Sequence, residues 1–119
     1  VIVSVHVIGA SNVFVHNVIA GLGEHDAAWF SQNPAAARPS TSVRYMPDGK
    51  SDRIDLVDAA TLLELGIGSC GSLSAAEYGW LRAHDHQASL VVRKMSPGVW
   101  HVVVRLPNGT VWDPAKGAA

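Results

Sequence analysis

The chain has one cysteine, Cys70, and its surroundings suit a nucleophile. The run Gly66-Ile67-Gly68-Ser69-Cys70-Gly71-Ser72 is small and flexible and passes directly into a helical pattern, Leu73 to His84. A thiol at the first turn of a helix faces backbone N–H groups that lack intrahelical acceptors, together with the positive end of the helix dipole. Both favour the thiolate. Downstream, His101 lies in the apolar run Trp100-His101-Val102-Val103-Val104, and Asp113 ends the next strand pattern before Pro114. A thiol, an imidazole and a carboxylate in that order supply a nucleophile, a base and a group that orients the base.

Whether Asp113 can serve His101 depends on the turn between their strands. A two-residue turn at Asn108-Gly109 pairs Val104 with Asp113 and puts the carboxylate on the face opposite His101. A three-residue turn, Pro107-Asn108-Gly109, pairs Leu106 with Thr110 and Val103 with Asp113. Asp113 then shares the His101 face, diagonal to it and within side-chain reach. Proline suits the first position of a type I turn, asparagine the second, and glycine the left-handed bulge position. Residue chemistry therefore selects the longer turn, with Gly109 at positive φ.

Helical spacing places Cys70 with Leu73, Glu77, Trp80, Leu81 and His84, so the thiol is expected at the rim of a helix–sheet interface, aimed at the strands. Gly71, Ser72 and Ala75 would leave the helix start open to a substrate. Gly79 costs stability inside a helix and is expected where the backbone closely approaches the sheet.

The elements that must position these groups are legible in outline. Val1 to Ile8 alternates as a strand, with Val1, Val3, Val5 and Val7 on one face. Ser11 is expected to cap a helix to about Leu22 that stops at Gly23, and a short second helix runs from Asp26 to about Gln32, ended by Asn33-Pro34. Ala35 to Ser42 reads as a mobile loop. Thr41 to Met46 and Lys50 to Ile54 flank Pro47-Asp48-Gly49 and read as a hairpin. Asp55 is expected to cap a helix to Leu65, stopped by Gly66, with Ser69 capping the Cys70 helix. Three strands then follow, at about 89–94, 99–106 and 110–113, the first two joined by Ser96-Pro97-Gly98. Helices first and an antiparallel meander last make one α+β domain over 1–119.

The 119 residues are 48% hydrophobic, which fits a folded chain with a single modest core. Net charge is −1 and the nine basic residues are scattered, so no nucleic-acid or polybasic membrane surface is expected. One cysteine excludes an internal disulfide and fits a reducing compartment. The apolar start is too short to span a bilayer and lacks the pattern of a signal peptide. With no initiator methionine at Val1, the expectation is a trimmed or processed piece of a longer protein. The letters Gly66-x-Gly68-x-x-Gly71 follow a helix instead of a strand, against dinucleotide binding. His84-Asp85-His86 reads as a solvated helix end better than as a metal site, and no metal or cofactor is implied. The N-terminal strand can pair within the chain or with a second copy.

The segment Ala60-Thr61-Leu62-Leu63-Glu64-Leu65-Gly66-Ile67-Gly68-Ser69-Cys70-Gly71-Ser72-Leu73-Ser74-Ala75 resembles the active-site segment of small transglutaminase-like proteins, especially those of tailed phages. The stretch Trp100 to Gly109 and Trp112-Asp113-Pro114 resemble that group's histidine strand and aspartate-proline strand. The resemblance covers about the C-terminal half. It implies a papain-like/transglutaminase-like core, with the nucleophile helix packed on a C-terminal antiparallel sheet and Cys70, His101 and Asp113 as a triad. It further implies a cysteine hydrolase, peptidase or amidase, that acts on a peptide or protein, in a bacterial cytoplasm or a phage virion. Ser69 and Gly71-Ser72 stand where phage relatives usually carry acidic residues. The same triad also serves acyl transfer from glutamine to an amine, and the fold can persist as a non-enzymatic virion or assembly module. Beyond the Cys70 N–H, Gln32, Asn33 and Tyr45 are the candidate oxyanion donors.

Overall fold

A computed structural model describes residues 2–6, 11–47, 53–96 and 99–116. Strand β1 (Ile2–His6) is followed by helix α1 (Asn12–Gln32), the short helix α2 (Pro39–Ser42), and strands β2 (Arg44–Tyr45) and β3 (Arg53–Val57). Helix α3 (Ala59–Leu65), strand β4 (Ile67–Gly68) and helix α4 (Cys70–Ala83) come next. Strands β5 (Ser89–Ser96), β6 (Val99–Arg105) and β7 (Val111–Trp112) and a 3-10 turn (Pro114–Lys116) complete an α+β architecture. None of the described helices is long and apolar enough to cross a membrane.

Helix α4 is the centre of the structure. Residues 71–79 are all buried, because α4 packs on the C-terminal sheet as expected and is covered by α1 and α2 on its other sides. Its small residues explain how. A side chain at Gly71 would meet Leu56 Cδ2 at 2.8 Å, and one at Gly79 would meet the Ala27 nitrogen of α1 at 2.7 Å. Gly79 thus admits α1, not the sheet, and Gly71, Ser72 and Ala75 are packed inside instead of opening the helix start to a substrate. One core cluster joins α1 and α4 to the sheet through Val15, Ile19, Tyr78, Val92 and Val102. A second, built on Phe30, Leu62, Leu73 and Ala76, fills the opposite side.

The C-terminal sheet has the order β5-β6-β7 and the expected antiparallel register, while the turn residues 97–98 lie outside the described set. The N-terminal half departs from expectation in four places. Helix α1 runs unbroken through Gly23, because that glycine lets Tyr78 lie on the backbone (a Cβ there would stand 2.7 Å from the tyrosine ring) and does not end the helix. Asp26 therefore starts no second helix. It is buried, and its Oδ1 accepts the Ala59 N–H at 2.9 Å. The segment expected to be a mobile loop carries α2, with Ser40 buried.

Strand β2 forms no hairpin with β3. It pairs in parallel with β4, and β3 pairs antiparallel with β1, whose ladder runs from Ile2↔Val57 to His6↔Arg53. Residues 48–52 of the expected hairpin lie outside the described set, as do Val1 and residues 7–10. Pairing with β1 extends β3 to Val57, so Asp58 and not Asp55 caps α3, accepting the Thr61 N–H at 3.1 Å. Gly66 ends that helix at φ +72°, as its position implies.

Candidate active site

The turn at 107–109 decides the site. Gly109 has φ +87°, the Leu106 N–H donates to the Thr110 carbonyl at 2.8 Å, and the register is Val104↔Trp112 and Arg105↔Val111. That register puts Asp113 opposite Val103, on the face of His101. The side chains meet: His101 Nε2 is 3.0 Å from Asp113 Oδ2, and both groups are partly shielded, at 33% and 15% exposure. The second carboxylate oxygen accepts the Ala115 N–H at 3.0 Å, which anchors Asp113 at the mouth of the 3-10 turn. With Nε2 turned to the carboxylate, Nδ1 is the ring nitrogen left to exchange a proton.

Alternation along β6 explains how Cys70 comes to lie beside the strand that carries this histidine. Leu106 bonds toward β7, so the backbone groups of Val104, Val102 and Trp100 point to the same edge. Strand β7 stops after Trp112, because Asp113-Pro114 cannot continue the ladder. Helix α4 covers the edge it leaves. Ser74 donates its hydroxyl to the Val102 carbonyl at 2.8 Å, and the Cys70 Sγ lies 3.7 Å from the Trp100 carbonyl. The partly buried thiol is thus fixed beside the residue that precedes His101, at the N-terminus of a 14-residue helix.

The serines around Cys70 have roles other than capping. Ser69 occupies the N-cap position, yet its side chain makes no capping bond, and its buried hydroxyl has no hydrogen-bond partner among the described residues. Ser72 accepts the Val57 N–H at 3.0 Å and so ties α4 to β3. The first turn of α4 therefore takes no cap from the Ser69 side chain. Beside Ser69 a groove of about 390 Å³ opens between Met46, Val57, Leu65 and Ile67.

Of the expected oxyanion donors, Gln32 ends α1 as an exposed residue, and Asn33 spends its side-chain amide on the Trp29 carbonyl at 2.9 Å. Tyr45 is better placed: it pairs with Gly68 on β4, two residues before Cys70. At the far end of α4, His84 Nδ1 lies 2.8 Å from the Trp80 carbonyl and its ring stacks on Trp80. Among the described residues no group of three or more metal-ligating side chains gathers.

A second polar group near the site is not evident from local sequence. Glu77, fully buried on α4, holds Arg38 from the segment before α2, and the Arg38 guanidinium lies against both Trp80 and Trp112. A lone acid among Leu73, Ala76, Trp80 and Leu81 is the signal that a partner must exist, although nothing in the spacing names Arg38. Compared with protein-family models, with curated proteins and with solved structures, the chain matches none.

Proposed function

We propose that this protein is a cysteine hydrolase with a papain-like/transglutaminase-like core, cleaving an amide bond in a peptide or protein through a thioester. The observation that carries the reading is the 3.0 Å bond from His101 to Asp113, on the strand whose Trp100 carbonyl lies 3.7 Å from the Cys70 thiol. In this mechanism His101 takes the thiol proton at Nδ1 while Asp113 holds Nε2–H and stabilises the imidazolium. The thiolate attacks the substrate carbonyl, and the Cys70 N–H receives the oxyanion together with one donor from elsewhere, for which Tyr45 on β2 is the candidate. His101 then protonates the leaving amine as the tetrahedral centre collapses to the thioester. Water, deprotonated by His101, releases the acid and restores the thiol. The groove beside Ser69, lined by Met46, Leu65 and Ile67 but also by Asp55 and Ser72, would receive a substrate side chain of mixed character.

Trapping the intermediate tests this reading. Incubation with acyl-peptide thioesters and amides, followed by intact mass and peptide mapping, is expected to show acylation confined to Cys70 and lost in His101→Ala. Adding a labelled primary amine separates the outcomes: free acid marks hydrolysis, and an amide conjugate marks acyl transfer. A second, non-enzymatic reading rests on the same thiol–carbonyl contact, which also suits a cysteine that only packs α4 on β6. Failure of every acyl donor to label Cys70 would favour that binding module.

A further inference from the structure

Glu77 and Arg38 are not part of the Cys70, His101 and Asp113 group, yet they connect to it through one residue. Glu77 Oε2 accepts the Arg38 Nε–H at 2.6 Å, and Oε1 accepts the Ser40 N–H at 3.0 Å, so both carboxylate oxygens are used by the segment around α2. Held in this way, the guanidinium carbon lies 4.7 Å from the Trp80 ring centre and 5.2 Å from that of Trp112. An arginine within cation–π range of two indoles is attracted to both rings, and its planar guanidinium ties one to the other. Trp112 is the residue before Asp113 and the last residue of β7.

Such a fixture answers a mechanical need. Strand β7 has two ladder residues, and Asp113 stands just beyond them, where sheet pairing no longer fixes the chain. A displacement of about 1 Å at a catalytic constellation costs on the order of a hundredfold in rate, so the end of so short a strand needs support from elsewhere. Asp113 Oδ1 is satisfied locally by Ala115, which sets the shape of the turn but not its place against β6. Trp112 supplies that placement, and its ring is clamped from the α4 side.

We propose that Glu77 and Arg38 are a positioning pair for Asp113: Glu77 fixes Arg38, Arg38 clamps Trp112, and Trp112 keeps the Asp113 carboxylate on His101. The role rests on the hydrolase reading above, because the orientation of His101 matters only if it serves Cys70. Neither residue touches the reacting atoms.

The test is the pH profile of Cys70 alkylation by iodoacetamide, from pH 5 to 9, in four proteins: wild type, His101→Ala, Asp113→Ala and the double variant Glu77→Gln/Arg38→Met. The double variant removes both charges together, so no unpaired buried ion remains, and near-UV circular dichroism checks its fold. In Asp113→Ala the thiolate–imidazolium pair loses its supporting carboxylate, and the rate at pH 5.5 is expected to fall about tenfold while the rate at pH 9 holds. The double variant is expected to show about three- to tenfold of the same acid-side loss, also with an unchanged rate at pH 9. A residue that merely packs would leave the profile where it was. If His101→Ala and Asp113→Ala lower the acid limb and the folded double variant keeps the wild-type profile, the positioning pair is overturned and the hydrolase reading stands. If neither of those single variants moves the profile, both fail together. Should the double variant not fold, Arg38→Lys keeps a charge beside Glu77 but loses the planar clamp. It is expected to lose about two- to threefold at pH 5.5, and a wild-type profile there overturns the role.

Discussion

Helix α4 buries a carboxylate against each of two neighbours, and the two are handled in opposite ways. Toward α2, Glu77 is fully buried and fully compensated: an arginine takes one oxygen and a backbone N–H the other. Toward α1, Asp26 is equally buried where Gly79 lets the helices touch, but it receives one N–H, from Ala59, and its other oxygen has no partner among the described residues. Burial, opposed by the Ala59 N–H and reinforced by the Asp58 charge, raises the Asp26 carboxyl to about 7. The side that carries Asp113 is thus fixed by an ion pair, and the scaffold side is relieved by taking up a proton. On the proposed reading, compensation is concentrated on the side that positions Asp113, and a titratable weakness is tolerated where only packing is at stake.

Breaking the compensated side alone is expected to have the largest effect. Arg38→Met without a change at Glu77 leaves a buried carboxylate unpaired and should cost about 3–5 kcal/mol in urea unfolding at pH 7. The Glu77→Gln/Arg38→Met double variant should recover most of that loss. A double variant as unstable as the single one would mean that the arginine contributes packing and not compensation.

On the scaffold side, Gly79→Ala places a methyl group 2.7 Å from the Ala27 nitrogen and 2.8 Å from Asp26 Cβ, against backbone that cannot yield cheaply. Overpacking of this kind costs about 1–3 kcal/mol, measurable as a lower denaturant midpoint with an unchanged slope. A stability within error of wild type would mean that α1 and α4 are not held at this spacing.

The smallest effect is the one that varies with pH. The unfolded Asp26 carboxyl titrates near 3.8 and the folded one near 7, so between these values the folded chain holds a proton that the unfolded chain has lost. Stability from this group is therefore full below about pH 4 and declines as pH rises toward 7. Asp26→Asn keeps the acceptor for Ala59 and removes the ionisation. It should leave stability at pH 4 nearly unchanged and raise it by about 1–2 kcal/mol at pH 8, the unpaired amide offsetting part of the gain. An equal change at both pH values would remove the titration from the account.

The contrast between the two sides also marks what could be read from the sequence. Near the site the decisive information was local. Pro107-Asn108-Gly109 chooses a turn length, the turn length sets strand parity, and parity alone brings Asp113 to His101. Gly66 at the end of α3 was legible for the same reason, whereas Ser69 holds the N-cap position of α4 without the capping bond expected of it. In the N-terminal half the choices were made by distant partners. Gly23 looks like a helix stop until Tyr78 is known to lie on it. Arg44–Tyr45 looks like half a hairpin until Ile67–Gly68 is available as a parallel neighbour. Asp55 and Asp58 are equally good caps, and pairing with β1 decides between them. Arg38 is separated from Glu77 by 39 positions, so no window of local pattern joins them.

The central claim is that Cys70 is a thiolate nucleophile activated by His101, and alkylation of the folded wild-type protein against its His101→Ala variant tests it most directly. A free thiol near 8.5 loses about tenfold in alkylation rate for each pH unit below that value. In the wild type the rate is expected to hold down to about pH 6, because the helix start and the imidazolium keep the sulfur ionised; in His101→Ala it should decline steeply below pH 8. A Cys70 that resists labelling at every pH until the protein unfolds, with His101→Ala making no difference, would contradict the account.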